Sequence, residues 1–203
     1  MSETWLEELR TTADAGLTEE LAGLTAGLAA AAEREGMLDL AFATTSSPVG
    51  ELLLVASPQG VVRVAFETET QEAVLADLAE RLSPRILPSA ERLAPAVREL
   101  EEYFAGRRRT FDVPVDLRLT RGFRAEVVRS LEEIEFGRTR SYAQVAQAVG
   151  NPRAVRAVGS ACATNPVPLF LPCHRVVRSD GSFGAYRGGH EVKQFLLELE
   201  HAA

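Results

Sequence analysis

Metal-ligating residues are scarce. In 203 residues there are two cysteines, Cys162 and Cys173, and three histidines, His174, His190 and His201. A structural zinc takes four such ligands at short regular spacings, and these five do not supply them, so no metal site is expected. Long apolar runs are missing as well: none approaches the roughly 18 residues that a membrane helix needs. Residues 1–36 lack the basic start and apolar centre of a secretory signal, so a cytoplasmic location and no membrane partner are expected. Positive charge is short in the front of the chain, with 8 acids against 2 Arg over 1–36 and 13 acids against 8 Arg over 37–116. No internal repeat is visible. What remains is 46% hydrophobic and 25% charged, enough core for one large domain or two small ones.

The net charge of −7 hides an asymmetry. Residues 117–203 hold 11 Arg and one Lys against 8 acids, and within 136–190 seven Arg face a single acid, Asp180. Such a basic module is a footprint that phosphates would meet, and a solvated Arg-rich surface is the alternative.

Three segments follow from the patterning. Residues 1–36 are expected to be a helical extension: Leu17, Leu21, Leu24 and Leu28 form one stripe, the Ala29–Ala32 run follows, and Gly16, Gly23, Gly27 and Gly36 weaken it. Packing on the body is favoured, because Trp5, Leu6 and Leu9 would otherwise stay wet. Residues 37–116 are expected to be an α/β domain. Leu38–Ala43, Glu51–Ala56 and Val61–Phe66 alternate with turn compositions, which predicts three antiparallel strands. Helices are expected near 70–82 and 89–105, separated by Pro84 and Pro88.

Residues 117–203 open with an expected helix from Leu119 to about Glu135. Ser141-Tyr142-Ala143-Gln144 is a capping box that starts a helix over Tyr142–Val149. Gly150-Asn151-Pro152 ends it and starts another, with Asn151 as cap and Pro152 at the first helical position. Helix, tight turn and helix outline a helix-turn-helix. On the second helix Val155, Val158 and Cys162 share one side, while Arg153, Arg156, Ala157 and Ser160 share the other.

The chemistry concentrates around Cys173. Pro168 and Pro172 fix an irregular loop before it, and the thiol sits where that loop enters a strand. A free thiol titrates near 8.5, so only about 3% is thiolate at neutral pH. His174, Arg175 and Arg178 are expected to lower that value through their positive field. In an extended strand His174 would point away from Cys173, so a local turn or a bridging water is needed to join them. Cys162 lacks this setting and is expected to pack as a small apolar residue. In the last helix Val192, Phe195, Leu196 and Leu199 form the expected buried stripe. Lys193 and Glu200 share one flank of it, from which Glu200 can orient a histidine.

Taken together, Ser141-Tyr142, Gly150-Asn151-Pro152, Arg156-Ala157-Val158-Gly159, Asn165-Pro166-Val167-Pro168, Pro172-Cys173-His174-Arg175-Val176 and Gly188-Gly189 with Lys193 and Glu200 form a specific pattern. Residues 118–200 resemble the O6-alkylguanine-DNA alkyltransferases, the methylated-DNA–protein-cysteine methyltransferases. Residues 38–112 match that family more loosely, through Ser47-Pro48-Val49-Gly50-Glu51 and Tyr103-Phe104-Ala105-Gly106. The resemblance implies an α/β (α+β) chain, with a ribonuclease-H-like N-terminal domain and a winged-helix C-terminal domain whose helix-turn-helix enters the minor groove of double-stranded DNA. It implies direct, irreversible, single-turnover transfer of an alkyl group from O6-alkylguanine, with O4-alkylthymine as a second substrate, to Cys173. Glu200, His174 and a water would activate the thiol, and Asn165 would hold its loop. Tyr142 would donate toward the leaving base, with Lys193 nearby. Arg156 would replace the extruded base, Ala157 would lie against the groove, and Arg153 and Ser160 share that face. Val176, Pro168 and the backbone of Tyr186 and Arg187 would line the base pocket. No cofactor is implied, and the protein is expected as a monomer.

Three other readings fit parts of the pattern. A lesion-flagging binding protein would share the DNA grip but lack the cysteine. A cysteine hydrolase would use Cys173, His174 and Glu200 but leave the Arg-bearing helix without a role. A transcription regulator would leave the Pro-Cys-His-Arg loop unexplained.

Overall fold

The computed structural model describes residues 20, 21 and 23–202, so the expectations for Trp5, Leu6, Leu9, Gly16 and Leu17 lie outside the described residues. A helix over 23–34 (α1) precedes three antiparallel strands, β1 Leu40–Ser47, β2 Gly50–Ser57 and β3 Gly60–Phe66. The N-terminal helix packs differently from its expected pattern. Ala29 and Ala32 are buried, whereas Leu21, Leu24 and Leu28 are exposed. The small alanine face lets α1 approach closely, and Glu33 pairs with Arg92 at 3.4 Å on that side. The leucine stripe faces outward.

Helix α2, Gln71–Arg81, and α3, Ala90–Phe104, fall where the sequence places them, capped by the side chains of Thr70 and Ser89. Between them lies an element the sequence hides. Ile86–Pro88 (β4) pairs parallel to β1, with Leu40 opposite Ile86, and completes a sheet of order β3-β2-β1-β4. Pro84 before it and Pro88 at its end read as breakers, yet an edge strand tolerates proline because the missing N–H has no ladder partner to lose. Both faces of the sheet are covered, which is why β2 and β3 are nearly continuous apolar runs. Leu40, Leu53, Val55 and Val62 pack under Val74 and Leu78 of α2. Leu52, Leu54, Val64 and Phe66 join Leu93, Leu100 and Tyr103 of α3 in a core that continues into residues of the second half, Val127, Val145, Val158 and Leu196. Gly188 belongs to this junction, since a Cβ there would stand 2.9 Å from the Phe66 ring.

The second half is helical. The helix expected over 119–135 is shorter, α4 at Phe123–Ser130 followed by a 3₁₀ turn at Leu131–Glu133. Thr120 turns back onto the Leu117 carbonyl, and Gly122 sits at φ 56°, so the chain is not helical before Phe123. The capping box opens α5, Tyr142–Ala148, as expected: Ser141 Oγ accepts from the Gln144 N–H at 3.2 Å and Gln144 Oε1 accepts from the Ser141 N–H at 2.7 Å. Helix α6 starts at Val155, later than expected, and runs to Ala163. Asn151 is not its cap. The Asn151 carbonyl instead accepts from the Ala154 N–H, which keeps Pro152 and Arg153 in the turn. Short strands β5, Arg140–Ser141, and β6, Val176–Val177, pair in parallel, and α7 spans Gly189–Ala202. Among the described residues no helix is long and apolar enough to cross a membrane.

Candidate active site

Cys173 begins a single 3₁₀ turn, Cys173–Arg175, that leads into β6. This local turn replaces the extended geometry that would have set His174 opposite the thiol. The loop before it is held in a costly shape. Leu169 has φ 74°, the one non-glycine residue with positive φ among those described, a conformation that costs about 1–3 kcal/mol unless its surroundings impose it. Asn165 supplies part of that support. It directly follows α6 and Thr164, is fully buried, and donates to the Leu171 carbonyl at 2.8 Å and to Cys173 Sγ at 3.2 Å. Its own Oδ1 accepts from the Val167 N–H at 3.0 Å.

The thiol environment corrects the sequence expectation. Burial pushes Cys173 up to about 11, against the Asn165 hydrogen bond and the Lys193 charge that pull the other way. The cations proposed to lower it are committed elsewhere. Arg175 binds Glu200 through Nε and Nη2 at 2.9 Å each and the Ile134 carbonyl through Nη1 at 2.6 Å. Arg178 is exposed and reaches Ser182. Burial pushes His174 down, against its bond to Glu200. The resting thiol is therefore protonated, and reaction requires a base.

A candidate for that base stands next in sequence. His174 Nε2 lies 2.8 Å from Glu200 Oε1, with both side chains buried. Burial raises the Glu200 carboxyl, but hydrogen bonds from His174 and Arg175 outweigh it and hold it down to about 2. An ionised Glu200 fixes the tautomer with hydrogen on Nε2 and leaves a lone pair on Nδ1. Nδ1 is buried and has no hydrogen-bond partner among the described residues. No direct bond joins Cys173 Sγ to His174 among the described residues, so a proton passing between them needs a carrier. Glu200 also accepts from the Gly137 N–H at 3.1 Å and from the Tyr103 hydroxyl at 2.8 Å.

Lys193 is fully buried and donates to the Val176 carbonyl. Burial lowers its proton affinity, and nearby Cys173 and Cys162 oppose that change. Its ammonium lies 6.0 Å from the centroid of the Tyr142 ring. Tyr142 is buried, with its hydroxyl pushed up to about 12 by that burial. The hydroxyl passes so close to Gly184 that a Cβ there would collide with it. Tyr186 packs edge-on against His174 at 6.4 Å, and its hydroxyl too is buried without a hydrogen-bond partner among the described residues.

Two halves of the chain match the family descriptions "6-O-methylguanine DNA methyltransferase, ribonuclease-like domain", over residues 40–117, and "6-O-methylguanine DNA methyltransferase, DNA binding domain", over residues 122–202. The constitutive methylated-DNA–protein-cysteine methyltransferase of Bacillus subtilis is 38% identical over 160 residues, covering 78% of this chain and 94% of the relative. The chain belongs to the methylated-DNA–protein-cysteine methyltransferase family. A Methanosarcina acetivorans member is 36% identical, covering 78% of this chain and 97% of its own. The crystal structure of Mycobacterium tuberculosis OGT in complex with DNA superposes with a TM-score of 0.69 at 36% identity, covering 80% of this chain and 93% of that one.

In this family member the site residues named from sequence divide into two groups. Cys173, His174, Asn165, Lys193, Glu200, Tyr142, Val176 and Tyr186 are buried and linked by the contacts above, and Pro168 is buried in the loop before Cys173. Arg153, Arg156, Ala157 and Ser160 stand exposed on or just before α6. Val155, expected inside, is exposed, because the buried face of α6 centres on Val158, Ala161 and Cys162. Cys162 is buried as expected. The Arg187 side chain pairs with Glu69 at 2.9 Å, next to the Arg63–Glu69 pair, and its charge still acts on the Cys173 thiol. In α7 the fully buried positions are Lys193, Leu196, Leu197 and Glu200, while Val192, Phe195 and Leu199 are half-buried. The inward face thus carries the two charges, and the apolar stripe lies beside it. Sequence reasoning missed Tyr103 and the clamp of Arg175 on Glu200. The signal for Tyr103 was a tyrosine on the apolar face of an amphipathic helix, where its hydroxyl must find a partner.

Proposed function

We propose that this protein repairs DNA by moving the alkyl group of O6-alkylguanine, and of O4-alkylthymine as a second substrate, irreversibly onto Cys173. The observation that carries the reading is the buried Cys173 thiol, held by Asn165 beside a His174–Glu200 pair whose free Nδ1 is ready to take a proton. A water passes the thiol proton to His174 as sulfur attacks the alkyl carbon. The bond from that carbon to O6 breaks, the leaving base gains a proton from Tyr142, and the proton taken up by His174 returns through water to restore the tyrosine. The products are a thioether and an intact guanine, so atoms balance without a cofactor, and water does not readily reverse the step. Each molecule acts once.

DNA binding is assigned to residues 117–203 through the minor groove. Arg156 fills the stack after the base is extruded, Ala157 permits close approach, and Arg153 and Ser160 support the same face, which offsets an unstacking cost of a few kcal/mol. Val176, Pro168 and the backbone of Tyr186 and Arg187 line the base pocket, with Lys193 bracing it through the Val176 carbonyl. Residues 37–116 form the domain that packs behind the site, and 1–36 are an extension. A monomer in the cytoplasm fits this reading.

Intact mass after incubation with methylated-guanine duplex tests it. The protein should gain about one CH₂, located on the peptide that carries Cys173, and the gain should stop at one per chain. Cys173→Ser should gain nothing while still binding DNA, and Cys162→Ser should react normally. Transfer by Cys173→Ser would remove the assignment.

A further inference from the structure

Four residues donate to Glu200, and one of them comes from the other half of the chain. Tyr103, in the last turn of α3, is 97 residues away in sequence and donates its hydroxyl to Glu200 Oε1 at 2.8 Å. His174 Nε2 meets the same oxygen at 2.8 Å, and Arg175 Nη2 meets it at 2.9 Å. The Tyr103 ring is fully buried among Phe104, Phe111 and Phe136, with centroids 5.3, 5.4 and 6.1 Å away. Phe111 in turn lies 4.7 Å from Phe170 in the loop that leads to Cys173. Packing alone would be served by phenylalanine in this aromatic cage. The hydroxyl is the part that needs another explanation.

We propose that Tyr103 is a positioning residue: its hydroxyl, supplied by the N-terminal half of the chain, pins Glu200 Oε1 against His174. The proposal rests on the alkyl-transfer reading and adds to it a dependence of the site on α3. A carboxylate oxygen offers two lone pairs, and here three residues send four hydrogen bonds to one oxygen. Each donor draws on the same negative charge. Removing the tyrosine hydroxyl leaves more of that charge for His174, whose ring then holds a proton more readily. The groups facing His174 are Glu200 and Lys193 from α7, Arg175 and Cys173 on its own turn, and the Tyr186 ring. Tyr103 reaches it through Glu200.

The test compares Tyr103→Phe with Phe111→Leu in the full chain. Two quantities are read: alkyl transfer from O6-benzylguanine as a function of pH, and the imidazole nitrogen resonances of His174 by NMR in a background without His190 and His201. The phenylalanine variant keeps the ring and the core. It should slow transfer about three- to tenfold near neutral pH, move the His174 titration upward by about half a unit, and displace the Nε2 resonance that reports the bond to Glu200. Phe111→Leu should lower the melting temperature and leave that resonance in place. An unmoved Nε2 resonance in Tyr103→Phe, or an equal displacement in both variants, would overturn the proposal. Failure of the unaltered protein to transfer the alkyl group, with the resonance still moved by Tyr103→Phe, would overturn the functional reading and spare the positioning role.

Discussion

Two sets of charges in residues 117–203 are treated oppositely by the fold. Arg153 and Arg156 stand in solvent, and no ion pair or hydrogen bond of theirs occurs among the described residues. Arg175, Lys193 and Glu200 are buried, and each is tied by hydrogen bonds to a carboxylate, a backbone carbonyl or an imidazole. Taking a charge out of water costs several kcal/mol unless partners replace the solvent, whereas an exposed guanidinium costs little. The buried set therefore persists because it organises something inside, the His174–Cys173 neighbourhood. The exposed set is left available to something outside. On the proposed function, one set belongs to the reaction and the other to the partner.

The largest expected effect comes from breaking the buried set. Glu200→Gln leaves Arg175 buried without a counter-charge, which should cost about 3–5 kcal/mol of stability. It also replaces the charged acceptor that fixes the His174 tautomer with an amide that can present either C=O or N–H, and alkyl transfer from a free base should fall about a hundredfold or more. Acid sharpens the contrast. The Glu200 carboxyl sits at about 2 in the folded chain against an ordinary 4.5. A depressed carboxyl contributes stability that is present above 4.5 and lost as pH falls toward 2, here about 3 kcal/mol. Denaturant melts of the unaltered protein should show that loss between pH 4.5 and 2, and Glu200→Gln melts should lack it. Equal acid sensitivity in the two proteins would show that the cluster is not the source.

The same contrast explains what is legible in the sequence. Local devices are readable: the Ser141–Gln144 box, the strands flanking turn residues, and the outward Arg face of α6 all depend on neighbours within a few positions. The linear motif around Cys173 also names the nucleophile and its histidine. What depends on distant partners is not readable. The motif predicts a thiol acidified by Arg175, but Arg175 is consumed by a carboxylate 25 residues on. The α7 pattern predicts a stripe through apolar residues, yet the site draws Lys193 and Glu200 inward and moves the buried face beside it. In α1 the leucines look like the packing face, and the smaller alanines pack instead.

A smaller and more selective effect is expected from the exposed set. Arg156→Ala should leave the fold and the thiol chemistry intact, because its side chain touches neither. Transfer from O6-benzylguanine should stay within about twofold of the unaltered rate. Transfer from methylated duplex should slow about tenfold or more, since base extrusion would lose the side chain that fills the stack. Parallel single-turnover rates on the two substrates decide it. Equal slowing would place Arg156 with the chemistry or the folding and erase the division between the two sets.

The smallest effect should come from Arg153, which sits in the turn before α6 and not on the helix itself. From there it reaches a phosphate more naturally than a base step, so its contribution should be electrostatic and independent of sequence. Arg153→Ala should weaken binding to methylated and unmethylated duplex alike, by a few-fold near physiological salt. Giving up one neutralised phosphate lowers the magnitude of the slope of log K against log salt by about 0.9. Titrations over a series of salt concentrations should therefore give a shallower line for Arg153→Ala, with the gap to the unaltered protein closing as salt rises. Its melting temperature should not move, because no partner inside the protein is lost. An unchanged slope would mean that the DNA-facing surface begins at Arg156 and that Arg153 is solvated on both sides of binding.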